Sequence, residues 1–215
     1  MKWEGQTAVI IASGPSLTIE DCATVQRWHE AGGGRVIAIN MSYQRAPWAD
    51  VLYACDGRWW SGNVTAAKKV FHGEHWTQDE KSAGGYGLNY IKSERGEGLN
   101  RKPGVINQGL NSGFQAINLA YHWGARRMVL LGYDMSHEGK RTHWHPPHQH
   151  DVQTPFDRCI KHFQAIARDL ANDGVVVVNC TRRTALKCWP MGDLIAELAH
   201  AQLMQRDMVE VLANG

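Results

Sequence analysis

Four histidines fall within eight residues, at 143, 145, 148 and 150, in the run THWHPPHQHD over 142–151. Imidazoles this dense suit three roles. They can ligate a divalent metal together with a carboxylate, one of them can act as a general acid or base near neutral pH, or the run is a polar loop that happens to be histidine-rich. Pro146 and Pro147 give the segment a stiff, kinked path that works against four rings meeting on one ion. Acid–base work by one of His143, His145 or His148 is therefore placed ahead of a metal site. Arg182-Arg183 is a second chemical pair, two guanidiniums able to clamp a phosphate.

These groups need a scaffold, and the apolar runs supply one. Continuous apolar stretches predict strands at 8–12, 35–39, 51–54, 127–131 and 175–178. Helical spacing, cap residues and terminal glycines predict helices at 18–28, 111–123, 154–173 and 192–212, with Thr154 capping the third. Alternation of this kind implies an α/β fold, an open and mostly parallel sheet with helices on both faces. Residues 61–109 break the pattern with Gly84-Gly85, Gly87, Gly96, Gly98, Gly104 and Gly109 among few apolar runs, so they are expected to form a weakly structured Gly-rich lid insertion in a single domain spanning 1–215.

Ligands of open parallel sheets bind outside the carboxyl ends of the strands. Each proposed strand there runs into a polar group: Ser13-Gly14, Asn40, Asp56, Tyr133-Asp134 and Asn179. The first of these ends belongs to Ser13-Gly14-Pro15-Ser16, an abrupt turn from an apolar strand into a helix, where backbone N–H groups are expected to face an anion. Asn111-Ser112-Gly113 opens another helix at the same edge and offers a second set of amides. No G-x-G-x-x-G and no G-x-x-x-x-G-K-[ST] occurs, which points away from dinucleotide and P-loop sites. Trp59-Trp60 reads as packing ahead of base stacking, and Arg126-Arg127, at a strand start, as solvated surface.

Composition narrows the partners. The 215 residues carry a formal charge of +2 without a long Lys/Arg cluster, which argues against direct nucleic-acid binding on electrostatics. Five cysteines form no C-x-x-C pair and read as reduced, mostly buried thiols. No run approaches a membrane span or a signal peptide, so a cytoplasmic protein without membrane contact is expected. Homo-oligomerisation is left open.

The strand–GPSL turn, Asn40, Asp56, the Asn111-Ser112-Gly113 helix start, LLGYDM at 130–135 and the histidine loop follow one order. That order resembles a Rossmann-like group containing archaeal 6-hydroxymethylpterin diphosphokinases and bacterial family 42 sialyltransferases, and it is most similar to small tailed-phage members. The resemblance spans about residues 8–190 on short motifs. It implies a nucleotide-binding domain with Gly14, Pro15, Ser16, Asn40, Asp56, Ser112 and Gly113 on the nucleotide and His143 or His148 as base. Ser13, Asn111, Tyr133, Asp134, Arg182 and Arg183 complete the expected nucleotide site. Departures are visible too: Asp56 stands where the sialyltransferases have Asn, and no Tyr follows Asp134-Met135 in the place of theirs. The resemblance thus implies a nucleotide-dependent transferase, either a glycosyltransferase using a nucleotide sugar or a pyrophosphokinase using ATP and magnesium at Asp56 and Asp134. A nucleotide-binding module without catalysis is the third expectation. No tightly bound cofactor is expected beyond the donor and magnesium, and the implied setting is the cytoplasm of a phage-infected bacterium.

Overall fold

The computed structural model describes residues 2–146 and 155–213, with the backbone course alone for 206–213. The chain begins with strand β1 (Thr7–Ile11), helix α1 (Ile19–Glu30) and β2 (Arg35–Ile39). A 3-10 turn (Asn40–Gln44) leads to β3 (Val51–Tyr53), α2 (Gly57–Val70), β4 (Glu74–Thr77), α3 (Glu80–Tyr86) and β5 (Asn89–Tyr90). Then come β6 (Lys92–Glu94), β7 (Val105–Asn107), α4 (Ser112–His122), β8 (Arg127–Leu131), α5 (Phe156–Asn172), β9 (Val176–Asn179) and α6 (Leu194–Ala213).

Seven strands form one parallel sheet in the order β5-β4-β3-β2-β1-β8-β9. This is the open Rossmann-like α/β architecture that the strand–helix alternation predicts. Strand alternation divides the core in two. Ala8, Ile10, Ile37, Met128 and Leu130 face α4 and α5, where Phe114, Ile117, Phe163 and Leu170 pack on them. Val9, Ile11, Val36, Ala38 and Val129 face the other way, onto Val25 and Trp28 of α1, Trp60 and Val64 of α2, and Leu198 and Ala201 of α6. Burial on both faces is why these strands read as continuous apolar runs.

The chain starts in the middle of the sheet, builds outward from β1 to β5, then returns to the other side of β1 with β8 and β9. The switch in direction lies between β1 and β8, and a crevice at their carboxyl ends follows from that order.

Residues 61–109 are not weakly structured. They carry most of α2, the sheet strands β4 and β5, helix α3, and a separate two-stranded parallel pair, β6 with β7. The sequence signal is faint because β4 (EHWT) and the edge strand β5 (NY) are short and largely polar. Side chains, in place of apolar runs, hold the rest. Asn118 on α4, fully buried, accepts from the N–H groups of Asn100 and Asn107 and donates to Asn100 O, tying this segment to the core.

Two further readings change. Arg127 is not solvated: its guanidinium pairs with Glu197 of α6, with side chains only 15% and 22% exposed. Helix α5 begins at Phe156, and Thr154, the expected cap, lies outside the described residues. All five cysteines are free thiols, four of them buried. No helix among the described residues is long and apolar enough to cross a membrane.

Candidate functional site

The carboxyl ends of β1, β2, β3 and β8 surround a cavity of about 760 Å³. Its wall is made by 12–14 after β1, Ile39 and Asn40 at the end of β2, 55–59 with Gly62 and Asn63 after β3, and Gly132, Tyr133 and Met135 after β8. Leu110–Gly113 before and into α4, His143, His145 and Phe156 complete the described lining. Segment 64–109 contributes none of the described lining. Size and position both fit a small-molecule site at the switch point of a parallel sheet.

Of the residues expected from sequence, Ser13, Gly14, Asn40, Asp56, Asn111, Ser112, Gly113, Tyr133, His143 and His145 border this cavity. Pro15, Ser16, Asp134, Arg182 and Arg183 do not, and His148 lies outside the described residues.

The expected phosphate cradle at 13–16 is filled from within the protein. Asp134, 1% exposed, accepts from Ser16 N–H and from Ser16 Oγ–H, both at 2.9 Å, and Gly14 N–H donates to Gly132 O at 2.8 Å. A Cβ on Gly14 would lie 2.0 Å from Asp134 Oδ2, so the glycine is required by this close approach. Burial raises the Asp134 carboxyl above its ordinary range, against the lowering by its Ser16 bonds and by Arg183. A buried carboxylate already engaged on both oxygens does not face the cavity as a magnesium ligand. That corrects the pairing of Asp56 with Asp134.

Helix α1 is closed in the same manner. Thr18 and Asp21 form a reciprocal capping box, and Arg182 clamps Asp21 at 2.7 and 3.2 Å. Arg183 pairs with Glu138 at 2.7 Å. The two arginines therefore brace acids of the fold instead of pointing at the cavity. Asn179 is likewise internal, accepting from Thr181 N–H and donating to Thr184.

At α4 the amides are also served. Asn111 Oδ1 accepts from Gly113 N–H at 2.7 Å and Phe114 N–H at 3.2 Å. Ser112 Oγ accepts from Cys55 N–H at 3.1 Å and lies 3.4 Å from Asn40 Oδ1, which joins the ends of β2 and β3 to this helix. Tyr133 packs its ring on Gly113 and donates to Gly113 O at 3.1 Å.

Helix α2 differs. Asp56 at its N-cap makes no capping hydrogen bond, and Gly57, Arg58 and Trp59 of the first turn line the cavity. Arg58 lines the same wall. Sequence reasoning passed over Arg58 and Asn63 because no helix was expected after Asp56; the signal was Asp56-Gly57 followed by helical placement of Trp60, Val64 and Ala67. Trp60 is the packing residue, its indole donating to Ala54 O, while Trp59 borders the cavity and meets Trp60 edge-on at 4.9 Å. Cys55 also borders it, but burial, and then Asp56, push its thiol far above its ordinary range, which removes it as a nucleophile.

The histidines form a stacked pair, His143 on His145, with ring centroids 4.9 Å apart and planes 14° from parallel. His145, 8% exposed, places Nδ1 2.8 Å from Pro146 O. A carbonyl can only accept, so Nδ1 carries the proton in the neutral ring and Nε2 holds the lone pair. That is the tautomer a general base requires. No group of three or more metal-ligating side chains converges among the described residues.

Backbone strain marks the same place. Three non-glycine residues among those described have positive φ: Asn40 (51°), Leu110 (59°) and Met135 (48°), and all three line this cavity. Left-handed backbone costs a Leu or Met roughly 1–2 kcal/mol and clusters at functional sites. No protein-family model matches the sequence, and no curated protein is significantly similar to it.

Proposed function

We propose that this chain is a nucleotide-dependent transferase whose donor occupies the cavity at the switch point, with glycosyl transfer from a nucleotide sugar as its reaction. The observation that carries the reading is that one cavity is lined both by the uncapped α2 terminus with Arg58 and by the His143–His145 pair. In this reading the donor phosphate sits at the Gly57–Trp59 amides and Arg58, not at the Ser13–Ser16 turn. Asn40 and Asp56 accept from ribose hydroxyls. His145 Nε2 takes the acceptor's hydroxyl proton as the acceptor oxygen bonds to the anomeric carbon. The bond from that carbon to the phosphate oxygen breaks, and the nucleotide leaves with the electron pair, its charge met by α2 and Arg58.

The test is a thermal-shift panel of CMP, UDP, GDP, ATP, CMP-sugars and UDP-sugars, each with and without magnesium. A shift with a nucleotide and its sugar, independent of metal, supports the reading. A shift with ATP and magnesium alone replaces it with a pyrophosphokinase using Asp56, and no shift at millimolar ligand overturns nucleotide binding altogether. Hydrolysis of the shifting donor then separates enzyme from binding module: His145→Ala retains binding and loses turnover in an enzyme.

A further inference from the structure

Trp144 lies between the stacked histidines in sequence but is absent from the cavity wall. Its ring meets that of His145 edge-on, with centroids 5.3 Å apart. Two contacts hold Trp144 there. Its backbone N–H donates to Ser13 O at 3.1 Å, which ties the loop to the turn after β1. Its indole is covered by Arg45, with the guanidinium carbon 3.9 Å from the ring centroid. Arg45 in turn donates from Nη1 to Leu17 O, beside that same turn, and follows directly on the 3-10 turn that begins at Asn40. The guanidinium is thus fixed from below by the β1–α1 connection and from behind by the end of β2. A cation so placed over an indole is attracted by the negative face of the ring.

We infer that Arg45 is a positioning residue: through Trp144 it sets the location of the His143–His145 pair and so the reach of His145 Nε2 into the cavity. The functional part of this inference rests on the proposed transferase reading; the positioning part does not. Arg45 itself is absent from the described lining and touches the loop at Trp144, which is absent from it too. Its loss should therefore disturb the base and leave the donor's nucleotide contacts on β2, β3 and α2 in place.

The test uses Arg45→Met, which keeps the stem and removes the cation, Arg45→Lys, which restores a cation, and Trp144→Phe, which weakens the aromatic partner. Long-range proton–nitrogen spectra of the imidazoles, with His145 assigned by its loss in His145→Gln, report the tautomer without any nucleotide. The expected result is a single Nδ1–H tautomer in the wild type, movement toward the free-imidazole average in Arg45→Met and Trp144→Phe, and partial recovery in Arg45→Lys. Donor hydrolysis should fall about tenfold in Arg45→Met while the nucleotide Kd stays within about twofold. Unchanged His145 signals in both Arg45→Met and Trp144→Phe overturn the positioning role, whatever the nucleotide panel shows. Altered signals without any nucleotide-induced melt shift support the positioning role and remove the transferase reading instead.

Discussion

Replacing Asp134 separates two roles that a buried carboxylate can have. It accepts two 2.9 Å hydrogen bonds from Ser16 and is 1% exposed, yet burial is the largest influence on its ionisation and acts against the charged form. Asp134→Ala removes both acceptors and leaves the half-buried Ser16 N–H and hydroxyl to find water. At about 1–1.5 kcal/mol per bond the loss is about 2–3 kcal/mol. At about 2–4 °C per kcal/mol for a chain of this size, Tm falls by about 4–12 °C. Asp134→Asn keeps an acceptor for Ser16 N–H and presents an amide donor to Ser16 Oγ, without burying a charge. Its stability at pH 7 should equal or exceed that of the wild type. The pH dependence follows from the raised folded value. Asp134 binds its proton more readily folded than unfolded, so its contribution to stability is fully present below the unfolded value of about 4 and is lost as pH rises through the folded one. The advantage of Asp134→Asn over wild type should therefore grow from pH 4 toward pH 7 and vanish below pH 4. Urea melts of the three proteins across that range measure all of this. If Asp134→Asn is as unstable at pH 7 as Asp134→Ala, the ionised carboxylate is worth more to the turn than its burial costs, and the reasoning is wrong.

Gly14→Ala should cost about 3 kcal/mol or more in denaturant melts, since its Cβ meets Asp134 Oδ2 at 2.0 Å and Gly132 O at 2.4 Å; combining it with Asp134→Ala should recover part of that loss but not the backbone clash. Leu110→Gly should raise Tm by about 1–3 °C, because relief of a left-handed Leu, roughly 1–2 kcal/mol, outweighs the glycine's added chain entropy of about 0.5–1 kcal/mol. A drop in Tm would show that the strain at 110 is compensated by packing. Arg182→Ala should leave nucleotide-induced melt shifts unchanged, since Arg182 serves Asp21 and not the cavity. With its side chain 59% exposed, the loss of stability should stay below about 1 kcal/mol and shrink in high salt.

How much was legible in the sequence depended on how local the cause was. Residues 35–39 and 127–131 are strands at those bounds, and Thr18 and Asn111 cap α1 and α4, because apolar runs and cap side chains act within a few residues. Polar residues after the strands marked the correct edge of the sheet, and ten of the expected site residues border one cavity there. Strands β4 and β5 escaped because short polar strands carry little periodic signal, and α2 escaped because its helical spacing of Trp60, Val64 and Ala67 was passed over.

The sequence by itself thus determined the parallel α/β scaffold, the edge where polar groups collect and the histidine-rich segment beside it. Tertiary structure decided which of those groups face the cavity. Asp134 fills the turn at Ser16 from 118 residues away, and Arg182 braces Asp21 from 161 away. Those partners meet only after the sheet is assembled. No local spacing encodes them, and they close the β1–α1 turn, while α2 at the cavity has no side-chain cap.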